Sequence, residues 1–101
     1  MAIYYVDNVS GNDGNSGDAA HPLATITYAV AQVVAGDTIR VVPTASAYTD
    51  YFTANTSGTA VNRITITSST SSKPTITGAS AWLFQGDYWT IENMDFTNSI
   101  S

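Results

Sequence analysis

Oxygen-bearing side chains crowd the stretch 7-DNVSGNDGNSGD-18, where Asp7, Asn8, Asn12, Asp13, Asn15 and Asp18 stand among three glycines. Hard cations take six to eight oxygens from flexible acidic loops, so this stretch holds enough donors for calcium. Asp7, Asn8, Asp13, Asn15 and Asp18 are the candidate ligands. Two established spacings fail. Counted from Asp7, Val9 falls at the third EF-hand position and no Glu closes the loop. The run GNDGNSGD never reaches the aliphatic position of the glycine-rich nonapeptide repeat and does not recur. The competing reading is a turn-rich connection in which Asn, Asp and Gly supply left-handed backbone and side-chain-to-backbone bonds. That reading is preferred, with calcium as the alternative.

Four other groups of residues could do chemistry. Tyr48, Tyr51 and Phe52 sit in a polar stretch, where their rings would either stack on sugars or cover the side of the fold. Glu92 and Asp95 follow Asp87 on one extended segment. Glycosidic chemistry wants two carboxylates about 5–10 Å apart on a rigid surface. A spacing of three puts Glu92 and Asp95 on opposite faces of a strand unless it bends between them. Arg40 and Arg63 are expected near one outward face, a rung apart and offset by two positions, as solvated cations. His21 has no second His or Cys with which to share a metal. No residue is assigned a catalytic role.

These residues belong to a chain of 101 residues with 11% charged residues and a formal net charge of −5. Arg40, Arg63 and Lys73 are the only Lys or Arg residues. Three scattered cations cannot neutralise a run of phosphates, so nucleic acid and anionic membranes are excluded as partners. The same shortage makes the chain a poor binder of polyuronates unless calcium reverses the local sign. Without cysteine there are no disulfides or thiolate sites. No apolar run has the length of a membrane span. The chain reaches Asp7 too soon for a signal peptide, so either the protein is cytoplasmic or a leader has been removed, and the second is preferred.

The elements that must position these side chains are mostly strands. Ile3–Val6 is β-branched and aromatic and stops at Asp7-Asn8. In 26-ITYAVAQVVA-35, Ile26, Ala29, Val30, Val33 and Val34 step along one helical face. Thr25 is the N-cap and Gly36 the residue that ends the helix. Strands follow at 38–42, 63–67, 74–77, 81–84 and 88–98, with a long polar loop at 43–62. Ile39, Ile64 and Trp89 are spaced by 25 and 25, and Val41, Ile66 and Ile91 keep the same step. Arg40, Thr65 and Thr90 fill the alternate positions. A constant interval between strands with one in/out pattern is the signature of a coil whose turns stack in ladders. Tyr51 to Ile76 gives a weaker second register.

The segments YYVD (4–7), HPLATITYAV (21–30), AGDTIRVVP (35–43), SGTAVNRITITSS (57–69), KPTITG (73–78) and YWTIENMDFTNS (88–99) now occur in a telling order. Together they resemble the N-terminal segment of right-handed parallel β-helix proteins of the pectin lyase-like superfamily. Those openings run through a "PFATI"-type helix, a "GDTI-V-PG-Y" strand, a "SGT-G-PITI" strand and a "KP-I-G" turn. The chain departs at 43-PTASAY-48, where the family usually has Pro-Gly-Thr-Tyr, and at Arg63, which replaces a proline. Lyases of this superfamily use an Arg or Lys base with calcium held by Asp and Glu, and its hydrolases use clustered Asp, all on middle rungs. Lys73 falls in the "KP-I-G" turn, for which the resemblance implies a structural role.

The expected fold is therefore an all-β solenoid, a right-handed parallel β-helix with one short N-terminal capping α-helix, stopping after about three rungs. It forms a single domain, with strand, loop and capping helix in 1–37 and rungs in 38–101. The expected function is that of a non-catalytic cap and first rungs. The parent, a polysaccharide lyase or glycoside hydrolase by resemblance, acts on or binds polysaccharide outside the cell or at its surface. The alternative is a structural solenoid that self-assembles through an open C-terminal strand edge, as a dimer, fibre or tail-spike-like element of a phage particle.

Overall fold

A computed structural model describes residues 2–77 and 82–96 of the chain. It contains eight strands: β1 (Ile3–Val6), β2 (Thr38–Val41), β3 (Phe52–Ala54), β4 (Ile64–Ser68), β5 (Thr75–Ile76), β6 (Trp82–Phe84), β7 (Trp89–Ile91) and β8 (Asp95–Phe96). One helix, α1 (Ile26–Val30), lies between β1 and β2. Among the described residues all the strand pairings are parallel and form three sheets, the first ordered β1-β2-β4-β7, the second β5-β8 and the third β3-β6. A parallel bridge from Tyr48 to Ile76 extends the second sheet by one position. From β2 onward the chain visits the three sheets in one repeating order. Parallel neighbours require a connection that returns the chain to the same end of the sheet, and here the other two sheets provide it.

Alternation along each strand sends one set of side chains into a shared core. Tyr4, Ile39, Ile66 and Ile91 stack across the first sheet. Tyr48, Ile76 and Phe96 stack across the second, and Phe52 on Trp82 across the third. Aromatic rings tie the ladders together. Phe52 and Trp82 have ring centroids 5.0 Å apart, and Phe84 lies 5.2 Å from Trp89. Both indole N–H groups donate to backbone carbonyls of the preceding segment, Trp82 to Asp50 at 3.1 Å and Trp89 to Thr56 at 2.7 Å.

The registers correct the expected interval. Ile64 faces Trp89 at the predicted step of 25, but Ile39 faces Ile66, a step of 27. A slip of two leaves every side chain on its expected face, so the hydrophobic pattern fits both registers. The second register starts from Tyr48, not Tyr51. The polar stretch 43–62 contains β3, whose buried Phe52 and Ala54 alternate with exposed neighbours. The segment 88–98 is not one strand. Asn93 takes φ 55°, and the chain turns from β7 in the first sheet to β8 in the second. The Gly78 turn, residue 81 of the expected strand 81–84 and the C-terminal stretch 97–101 lie outside the described residues.

Thr25 caps α1 as expected, its side-chain oxygen accepting the Tyr28 N–H at 3.1 Å. Ile26, Ala29 and Val30 are buried on the side facing β1, β2 and β3. The helix has five residues, half the predicted length. Asp37 accounts for the early stop: its Oδ2 accepts the Val34 N–H at 2.9 Å, and its own N–H donates to the Val34 carbonyl. The resulting turn uses Gly36 at φ 90°, a conformation glycine adopts without steric cost. It keeps Val33 buried and turns Val34 outward. No helix among the described residues is long and apolar enough to cross a membrane.

Candidate functional site

The opening loop uses its acidic and amide groups locally. Asp7 Oδ1 accepts the N–H groups of Val9 and Ser10, both at 2.9 Å. Asp13 Oδ1 accepts from the N–H groups of Ala24 and Thr25, and Oδ2 accepts the Thr25 hydroxyl. Asn15 donates to the Pro22 carbonyl, and Asn8 to the carbonyls of Ser46 and Ala47. Asp18 Oδ1 accepts the His21 N–H at 2.7 Å and faces its ring Nδ1 at 3.1 Å. Desolvation raises the Asp18 pKa, but the donors of His21 and Ser16 outweigh it and hold the carboxyl below its ordinary value. Asp7, Asp13 and Asp18 thus each accept from separate backbone N–H groups, while Asn8 and Asn15 donate to backbone carbonyls. Among the described residues no three His, Cys, Asp or Glu side chains are grouped to hold a metal ion.

The three candidate sugar-contacting aromatics separate. Tyr48 is 1% exposed and is a core residue. Its hydroxyl lies 2.7 Å from the Val42 carbonyl and 3.1 Å from that of Val6, and accepts the Asn8 N–H. Burial pushes its pKa well above that of an ordinary tyrosine. Phe52 is also inside, packed on Trp82 and Phe84. Tyr51 is 75% exposed, on the outer side of β3 with Thr53 and Asn55.

Beside Tyr51 is a groove of about 320 Å³ between α1 and β3, lined by Thr27, Val30, Ala31, Phe52, Thr53, Asn55 and Thr56. Its end is braced. The Thr27 hydroxyl lies 3.1 Å from Asp50 Oδ1 and 3.2 Å from the Tyr51 carbonyl, and the Thr27 N–H donates to Asp50. Residue types alone did not mark Thr27, Asp50, Asn55 and Thr56. The available signal was the alternation across 51–55, which places a strand where a loop was expected.

The charged candidates stay apart. The Arg40 guanidinium lies over the Tyr5 ring at 5.8 Å and donates to its hydroxyl. Arg63 lies over the Tyr88 ring at 5.7 Å and donates to the Thr90 hydroxyl at 2.8 Å. Since Arg40 faces Thr67, Arg63 is four positions away in register, not two. Asp95 belongs to β8 in the second sheet, while Glu92 follows β7 in the first. Lys73 is exposed just before β5.

No protein-family model matches the chain, and no curated protein matches it in sequence. Solved structures do match its fold. A rhamnogalacturonan lyase superposes over 100% of this chain and 30% of its own length, with TM-score 0.81 and 21% identity. The GH136 lacto-N-biosidase from Eubacterium ramulus matches over 96% of this chain and 20% of its own, with TM-score 0.77 and 19% identity. XylC, solved in complex with xylose, matches over 75% of this chain and 12% of its own, with TM-score 0.68 and 30% identity. The chain spans less than a third of each of these proteins. The likeness shows a shared mostly-β fold with parallel strands, and the matched proteins are carbohydrate-related by name.

Proposed function

We propose that this chain forms the N-terminal strand, capping helix and first rungs of a right-handed parallel β-helix, in a protein that acts on or binds polysaccharide. The observation that carries this reading is the fold likeness along the whole chain to a rhamnogalacturonan lyase. The repeating visit to three parallel sheets supports it, since each circuit lays one strand on each sheet. In this reading α1 covers the start of the coil, with Ile26, Ala29 and Val30 against the first strands. Residues 1–101 are one domain and carry no catalytic residues, which belong to later rungs. The protein works outside the cell or at its surface.

Ile91 and Phe96 support continuation of the coil. In register they extend columns whose preceding members, Ile66 and Ile76, are fully buried, yet they are 36% and 42% exposed. A further rung would cover them. The same exposure favours a second reading, in which another copy stacks on β7 and β8 and the solenoid is structural.

The test is to assay residues 1–101 and the full open reading frame side by side on rhamnogalacturonan, xylan and lacto-N-biose-containing glycans. The proposal expects no turnover by 1–101, and turnover or retention on at least one glycan by the full product. A full product that neither binds nor cleaves any of them contradicts it. Light scattering across a wide concentration range separates the second reading, which requires a defined dimer or growing assembly of 1–101.

A further inference from the structure

We infer that the groove between α1 and β3 is a binding subsite for a neutral saccharide of one or two rings. The inference rests on the carbohydrate reading above and adds the location and the charge class of the ligand. The groove's volume, about 320 Å³, is at the lower end of the roughly 300–1,000 Å³ typical of small-molecule sites, so it suits a short saccharide and not a long chain.

The lining matches sugar chemistry. Thr27, Thr53 and Thr56 bring hydroxyls and Asn55 a carboxamide, set against the apolar surfaces of Val30, Ala31 and Phe52. Sugars need this mixture, because hydroxyls project around the edge of a ring whose C–H faces are apolar. Among the described residues, the side chains of Thr53, Asn55 and Thr56 have no intramolecular hydrogen-bond partner, so their polar groups are open to a ligand. Tyr51 stands on the same outer side of β3, two residues from Thr53, with an exposed ring and its carbonyl bonded to the hydroxyl of the lining residue Thr27. The Thr27–Asp50 brace fixes the backbone that carries it.

Charge selects the class. None of Arg40, Arg63 and Lys73 lines the groove, and its lining residue Thr27 is bonded to the Asp50 carboxylate. A uronate would meet a negative charge and no counterion. A neutral ring meets only hydrogen-bonding groups.

The test is a titration of labelled 1–101, followed by amide NMR. The probes are glucose, galactose, xylose, N-acetylglucosamine and their β-linked dimers, each alongside glucuronate or digalacturonate. The inference expects at least one neutral sugar to shift the Thr53, Asn55 and Thr56 amides saturably, with no comparable shift from the uronates. Thr53→Val, which keeps the shape and removes the hydroxyl, should weaken that binding by roughly three- to tenfold. Tyr51→Ala should weaken it while leaving the remaining spectrum in place. Three results overturn the inference: no groove response to any neutral sugar, equal or tighter binding of uronates, or groove shifts that follow protein concentration instead of sugar. The last would make the free edge of β3 a strand-pairing site for a second copy. A silent groove in a full product that still acts on glycans refutes only the subsite. A responsive groove in a product inactive on every glycan refutes only the wider functional reading.

Discussion

Tyr48 shows why a side chain's residue type has to be taken together with its register. A tyrosine in a polar stretch has two uses, and the bridge to Ile76 decides between them by turning the ring inward. Its hydroxyl then serves the backbone at Val6, Asn8 and Val42, joining β1, the start of the opening loop and the end of β2. Replacing it with Phe keeps the ring and leaves those groups short of a partner, which costs about 1–3 kcal/mol. Urea unfolding measures this directly. Alkaline pH gives a second readout. The hydroxyl's pKa is raised in the folded state, so the unfolded chain releases this proton first, near pH 10. The stabilising contribution is complete below that pH and is lost as pH rises toward the folded-state value, at up to about 1.4 kcal/mol per pH unit. Tyr48→Phe should lose stability less steeply than the parent above pH 10. Parallel slopes would mean the hydroxyl is not held in a dry site.

The opening loop illustrates the scale of the element. Its Asp and Asn side chains organise one connection, and Asp13 ties that connection to the start of α1 through Ala24 and Thr25. Gly11 is needed for close approach, since a Cβ there would lie 2.1 Å from the Leu23 carbonyl oxygen and 2.4 Å from that of Asp7. Gly11→Ala must therefore push position 11 away from the backbone of Asp7 and Leu23. We expect a loss of more than 2 kcal/mol, well beyond the roughly 1 kcal/mol of a typical substitution. Thermal unfolding checks it, and an unchanged midpoint would show that the loop is not packed this way. Much of this was readable beforehand. Strand β1, the Thr25 cap and the buried face of α1 follow from local pattern, because capping and amphipathic periodicity act within a few residues. The helix's length did not, because Asp37 ends it from beyond the periodic segment by binding Val34. Strand β3 was hidden because only Phe52 and Ala54 point inward from a run of polar residues. The groove needed both elements in place, so no local signal could have marked it.

At the scale of the whole molecule, the parallel ladder was readable in kind but not in exact step. Ile39 and Ile64 are the same residue type and both face inward, yet Ile39 pairs with Ile66, two positions further on. The connection between β2 and β4 is two residues longer than that between β4 and β7, which no in/out pattern can reveal. Three parallel sheets visited in repeating order, on those particular registers, are what the proposed reading of this chain as part of a coil rests on. The most direct test is a NOESY spectrum of residues 1–101 that resolves backbone contacts between strands. Contacts of Ile39 with Ile66, Ile64 with Trp89, Phe52 with Trp82 and Ile76 with Phe96, all in parallel geometry, are expected. Antiparallel contacts, or a direct Ile39–Ile64 pairing in place of Ile39–Ile66, would contradict the stacked arrangement and the functional reading built on it.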